Sequence, residues 1–210
     1  MGGYVTDGGR CGAVDWAVCA SPYPGQARSG DAFLVQAIPD GVLVAVVDGL
    51  GHGQEAADVA ERAVECVRAS AGQPLLRGLT ACHTALRGSR GVVMTLVAVH
   101  ARSPTLGWLA VGNVDAAVLR PGRRGGPVQR WSVPLRGGVV GDRLPPLREL
   151  PAPLAVGDTL VAATDGMAPG MLDGIDLSPE VADLARGLHG RHAGTGDDAL
   201  VLVARRSSWP

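Results

Sequence analysis

Apolar residues along this chain fall mostly in short unbroken runs bounded by glycine, proline and aspartate, and two segments instead follow a three-to-four spacing. Short bounded runs predict strands. They cover residues 14–20, 32–38, 42–47, 92–99, 105–111, 116–119, 159–163 and 200–204, with a further strand at 128–133. Asp40-Gly41 between two such runs predicts a hairpin that makes 32–38 and 42–47 antiparallel neighbours. Residues 54–70 predict a helix, with Ala56, Ala57, Ala60, Ala63, Val64 and Val67 forming one apolar stripe. A weaker helix is predicted at 75–86 through Leu75, Leu79, Cys82 and Leu86, and a third at 179–188. Residues 120–127 form a Gly/Arg loop, and 134–153, with Arg136, Arg143 and Arg148, a long surface excursion. Residues 207–210 form a frayed tail. Strands come in hairpin-like groups with helices between the groups. That order predicts an α+β fold of antiparallel sheets with helices on the outer faces.

Composition narrows the function classes. The chain is 46% hydrophobic and 19% charged, so it can bury a core. Net charge is −1 and only seven residues are aromatic, which argues against nucleic acid and anionic lipid as partners. All 19 basic residues are arginine, a compositional bias, so no single arginine is taken as selected for phosphate. The longest apolar run, 42–47, falls far short of the roughly 20 residues that span a bilayer. The N-terminus lacks the basic and apolar regions of a secretory signal. Cys11, Cys19, Cys66 and Cys82 show neither CxxC spacing nor a pairing pattern. A single cytoplasmic domain over residues 1–210 is expected, its core at about 14–205.

The informative pattern is where the aspartates fall. Asp31 opens a predicted strand, Asp48 and Asp165 each close one in the form strand-Asp-Gly, and Asp197-Asp198 open the last. Carboxylates at several strand ends can meet at one edge of a sandwich, and such oxygen-rich clusters suit Mg2+ or Mn2+. Without a cation their crowding is costly. Gly49 and Gly166 are expected to let the backbone turn sharply beside the carboxylates, and the Gly49 carbonyl is itself a candidate ligand. Taken singly, each Asp-Gly also reads as a plain turn.

These residues, in this order, resemble the metal-dependent serine/threonine protein phosphatases (the PPM, or type 2C, family), and more narrowly its bacterial SpoIIE/RsbX-like branch. The resemblance is carried by Pro24-Gly25-Gln26-Ala27-Arg28-Ser29-Gly30-Asp31, Val46-Val47-Asp48-Gly49-Leu50-Gly51-His52-Gly53, Leu109-Ala110-Val111-Gly112-Asn113-Val114, Gly157 through Gly166, and Gly196-Asp197-Asp198-Ala199. It implies a four-layer α-β-β-α sandwich. It implies hydrolysis of phosphoserine or phosphothreonine in proteins by water activated at two Mn2+ or Mg2+ ions. By analogy Asp48 bridges both ions, Gly49 binds one through its carbonyl, and Asp165 and Asp197 bind the other. Asp31 binds directly or through water, and Asp198 is either a ligand or the residue that orients Asp197. The catalytic residues would be Asp48 and Asp165.

Two positions depart from the family pattern: many relatives carry Glu where this chain has Gly30, and His52 lies four residues after Asp48. Arg28 and His52 are candidate contacts to the substrate phosphate; their alternatives are a solvated loop charge and a structural place at a helix start. His83, His100, His189 and His192 read as surface or core residues, and Gly112-Asn113 as a tight turn beside the site. The resemblance implies as substrate a phosphorylated bacterial regulator, either an anti-sigma-factor antagonist of the STAS type or a stressosome-type component. The competing readings are a catalytically weak phosphoprotein-docking module and a hydrolase of small phosphoesters.

Overall fold

The computed structural model describes residues 5–122 and 126–208. In chain order the elements are β1 (Val5–Cys11), β2 (Val14–Ser21), β3 (Asp31–Ile38), β4 (Gly41–Gly49), α1 (Gln54–Ala69), α2 (Leu75–Ala85), β5 (Val92–His100), β6 (Thr105–Val111) and β7 (Asp115–Arg120). They continue with β8 (Gln129–Trp131), β9 (Leu150–Pro153), β10 (Thr159–Ala163), α3 (Val181–His192) and β11 (Ala199–Arg206). The strands form a six-stranded sheet, β1-β2-β11-β10-β7-β8, and a five-stranded sheet, β3-β4-β5-β6-β9. Every pairing is antiparallel. Both predicted sheets and their helical covers are present.

The unbroken apolar runs are explained by what each strand face meets. Side chains alternate between the two faces of a strand. Val42, Val44 and Val46 of β4 pack between the sheets against Val18, Leu200 and Leu202. The intervening Leu43, Ala45 and Val47 pack under α1 and α2 with Val59, Ala63 and Leu79. Strand β11 does the same on the other side, its Val201 and Val203 meeting Leu184 and Leu188 of α3. Three apolar layers therefore alternate with two sheets, and a central strand needs both faces apolar.

Several predicted elements shift. Strand β1 escapes the pattern because Val5–Cys11 has few apolar residues and is mostly exposed; it is an edge strand paired on one side to β2. The segment 134–153 is not simply a surface excursion. Val140 is buried and bridges Val92, and Leu150–Pro153 joins β6 as β9. Two prolines in β9 are tolerated because it is the sheet's edge. Helix α3 runs on to His192, past the predicted end at 188. Residues 123–125 of the Gly/Arg loop and 209–210 of the predicted tail lie outside the described residues.

At one end of the sandwich, a polar clasp ties chain segments together. The Asp158 carboxylate, almost wholly buried, accepts hydrogen bonds from Arg120 Nε (2.8 Å) and Nη2 (2.6 Å) and from the Ala155 N–H (2.7 Å). Arg206 donates to the carbonyls of Ser103, Leu154 and Ala101. Replacing Asp158 with alanine removes three charge-assisted bonds from a buried site. We expect Asp158→Ala to lose about 2–4 kcal/mol in urea unfolding with an unchanged slope; a loss below about 1 kcal/mol would show the clasp to be dispensable.

Candidate metal centre

The opposite end of the sandwich collects the aspartates, and strand register does the collecting. In the five-stranded sheet Asp31 lies directly across the ladder from Asp48. In the six-stranded sheet β10 ends at Ala163, opposite Asp115 and Val201, so Asp165 emerges beside the Asp197-Asp198 start of β11. The two sheets thus deliver Asp31 and Asp48 from one side and Asp165, Asp197 and Asp198 from the other. Their charges act on one another. Burial and the nearby Asp165, Asp197 and Asp198 push the Asp48 carboxyl up to about 7. Burial and Asp48 hold Asp31 well above the usual carboxylate range, against the opposing effect of its hydrogen bond from Thr164.

Neutral donors fix one oxygen on each of four carboxylates. The Thr164 hydroxyl donates to Asp31 Oδ2 at 2.7 Å and accepts the Leu200 N–H at 2.9 Å. The Asn113 amide donates to Asp165 Oδ2 at 2.7 Å. The Tyr23 N–H donates to Asp198 Oδ1 at 2.7 Å. Asp197 Oδ1 accepts the backbone N–H of Asp198 at 2.8 Å. Among the described residues no arginine or histidine forms an ion pair with any of these five aspartates. Asp198 Oδ2 is buried and has no hydrogen-bond partner among the described residues.

Close backbone packing explains both glycines, and at Gly166 the expected turn is present as well. The Met167 N–H donates to the Thr164 carbonyl at 3.1 Å and closes a turn over Asp165-Gly166, whereas Gly49 is still the last residue of β4; neither glycine has a positive φ. A Cβ on Gly49 would sit 2.3 Å from the Ala56 carbonyl oxygen, so Gly49 lets α1 pack onto the end of β4. A Cβ on Gly30 would sit 2.9 Å from both Asp198 Oδ2 and Ala56 Cβ. The room that a side chain at position 30 would need is therefore taken by the Asp198 carboxylate.

Not every candidate points into the cluster. Arg28 is engaged elsewhere: its guanidinium pairs with Asp58 at 2.6 Å and Glu61 at 2.5 Å on α1. His52 is exposed and stacks on Tyr23, with ring centroids 4.3 Å apart. His83 accepts the Gly141 N–H, and His189 meets Ser21. Among the described residues no cysteine is joined in a disulfide. Thr164 and Tyr23 were missed by sequence reasoning, and Asn113 was given only a turn. Asn113 carried a signal, as the only asparagine in the chain; Tyr23 acts through its backbone and carried none.

An all-oxygen donor set, mutual repulsion and a buried carboxylate oxygen without a partner fit a hard divalent cation. Among the described residues, however, no three such side chains are already drawn around one point at liganding distance. A cavity of about 560 Å3 lies against β1, β2 and α3, and none of the five aspartates lines it. The raised Asp48 carboxyl gives a test without metal. The folded state holds this proton more tightly than the unfolded chain does, so ionising it between about pH 4 and pH 7 costs stability. In chelator, Asp48→Asn should be more stable than the parent at pH 8 by on the order of 2 kcal/mol, the gap closing toward pH 4. Equal thermal unfolding of the two proteins at pH 8 would contradict the proposed crowding.

Comparison with known proteins identifies the family and the fold. The family model for Stage II sporulation protein E (SpoIIE) matches residues 38–207. A chain from the bacterial stressosome, described as a modular system adapted to control secondary messenger signalling, is 28% identical with a TM-score of 0.81; the match covers 91% of this chain and 99% of that one. RsbX in complex with magnesium is 18% identical with a TM-score of 0.84, covering 97% and 100%. The catalytic domain of the serine/threonine phosphatase PstP with 2 manganese ions is 19% identical with a TM-score of 0.69, covering 93% and 99%. No curated protein matches the chain. No helix among the described residues is long and apolar enough to cross a membrane. The chain belongs to the SpoIIE family, as a SpoIIE/RsbX-like protein of the PPM (type 2C) phosphatase fold.

Proposed function

We propose that this protein is a metal-dependent phosphoprotein phosphatase that removes phosphate from serine or threonine of a bacterial regulatory protein. The observation that carries the reading is the electrostatic interaction among Asp31, Asp48, Asp165, Asp197 and Asp198, none of which forms an ion pair with an arginine or histidine among the described residues. Asp48, the Gly49 carbonyl, Asp165, Asp197 and Asp31 would hold two Mn2+ or Mg2+ ions. When bound, the ions supply Lewis acidity toward water and toward the phosphoryl oxygens. Thr164 and Asn113 each fix one oxygen of a ligand carboxylate and so aim the other at the centre. Asp198 holds the Tyr23 backbone with one oxygen and keeps the second inside the cluster. Asp48 and Asp165 are the residues on which catalysis depends. Arg28, engaged by α1, is left out of the phosphate contact.

The resemblance to a stressosome chain supports a phosphorylated STAS-type or stressosome-type partner as substrate. The carboxylates' not being drawn around one point favours one other reading, a docking module that binds the phosphoprotein without turning it over. Phosphate release separates the two. With Mn2+ or Mg2+ the protein should hydrolyse both p-nitrophenyl phosphate and a phosphoserine-bearing STAS-type protein, and chelator or Asp48→Asn should abolish both activities. Turnover of the small ester alone marks a small-phosphoester hydrolase, and no turnover with either ion sinks the proposal. Thr164→Val, which leaves Asp31 without its donor, should lower metal affinity about 10–100-fold, read by Mn2+ titration.

A further inference from the structure

A cavity of about 240 Å3 opens beside the acidic cluster, and Asp165 and Asn113 line it. Asp165 therefore belongs to both places. Its Oδ2 is held by Asn113, and Thr164, which bonds Asp31, lines the cavity beside them. Away from these two residues the lining turns apolar, through Met167, Ala168, Met171 and Leu172. Met167 and Leu172 are buried members of the core under α3, and Met171 packs against it. The backbone of this floor is pinned as well. The Met167 N–H donates to the Thr164 carbonyl at 3.1 Å, the Ala168 N–H to the His192 carbonyl at 2.7 Å, and Met167 bridges Ala193. The hollow is preformed, as ligand sites usually are.

Charge does not explain it. The charged residues lining it besides Asp165 are Asp115 and Arg130, which lie 3.5 Å apart and satisfy each other. What is left is an apolar, thioether-lined recess with the volume of about eight water molecules, enough for one large aliphatic side chain. Adjacent residues of a peptide lie about 3.8 Å apart at Cα, so a phosphoserine presented to the cluster carries its neighbour to the mouth of the recess.

We propose that this recess is a specificity subsite that takes an apolar side chain adjoining the phosphorylated residue of the protein substrate. The inference rests on the phosphatase reading above and adds a preference that the metal chemistry does not supply. Burying one aliphatic side chain in a preformed pocket discriminates by about tenfold or more.

The test uses two labelled peptides carrying a non-hydrolysable phosphonate analogue of phosphoserine, flanked on both sides by leucine or by alanine. Binding to the full chain in Mn2+ is followed by fluorescence anisotropy. The leucine peptide should bind at least about tenfold more tightly. Ala168→Trp, which fills the recess from an exposed position, should bring the ratio to about one, while Met171→Ala, which enlarges it, should shift the preference toward a phenylalanine-flanked peptide. Equal binding by the parent chain, or a leucine preference that survives Ala168→Trp, overturns the subsite. Hydrolysis of p-nitrophenyl phosphate in the same preparations reports on the phosphatase reading alone: its absence sinks that reading, while the binding ratio still decides the subsite.

Discussion

Repulsion between carboxylates is the constraint around which this end of the molecule is built. Asp31 and Asp48 stand opposite each other on neighbouring antiparallel strands, an arrangement that destabilises a sheet when both are charged. Three more aspartates arrive from the second sheet. A fold tolerates this only if the framework delivering the carboxylates is held firmly elsewhere. The alternating apolar layers do that, since β4, β5, β10 and β11 are buried along nearly their whole length. The acidic groups sit where these strands run out, so the layers can be completed without burying the charges in their midst.

The hydrogen bonds around the cluster follow one rule. Each donor that reaches these carboxylates is neutral: a hydroxyl, an amide side chain or a backbone N–H. Neutral donors orient a carboxylate without cancelling its charge, whereas an arginine would do both. In so arginine-rich a chain it is informative that, among the described residues, no arginine forms an ion pair with these aspartates. Arg28 lies nearest in sequence to Asp31, and Asp58 and Glu61 of α1 hold it.

Strand type was legible wherever burial on both faces produced an unbroken apolar run, as in β4 and β11, whereas partnership was legible only at the Asp40-Gly41 hairpin joining β3 and β4. Edge strands were not. β1 has few apolar residues because one of its sides and most of its surface face solvent, and β9 hides behind two prolines that only an edge strand accommodates. The aspartates were legible because a carboxylate followed by glycine at the end of an apolar run leaves a pattern in one dimension. Their supporting groups left a weaker trace. Thr164 looks like any residue preceding an Asp-Gly pair, and the contribution of Tyr23 is a backbone N–H that every residue except proline possesses. The reason for Gly30 emerged only in three dimensions, where Asp198 fills its side-chain space.

That last contact couples two distant positions of the chain. A side chain at position 30 would run into the Asp198 carboxylate on one side and the Ala56 methyl of α1 on the other, each at 2.9 Å from its Cβ. Room for a larger residue there would have to be made at both neighbours at once, one just before β11 and one in the first turn of α1, so three segments far apart in the chain share this one small space.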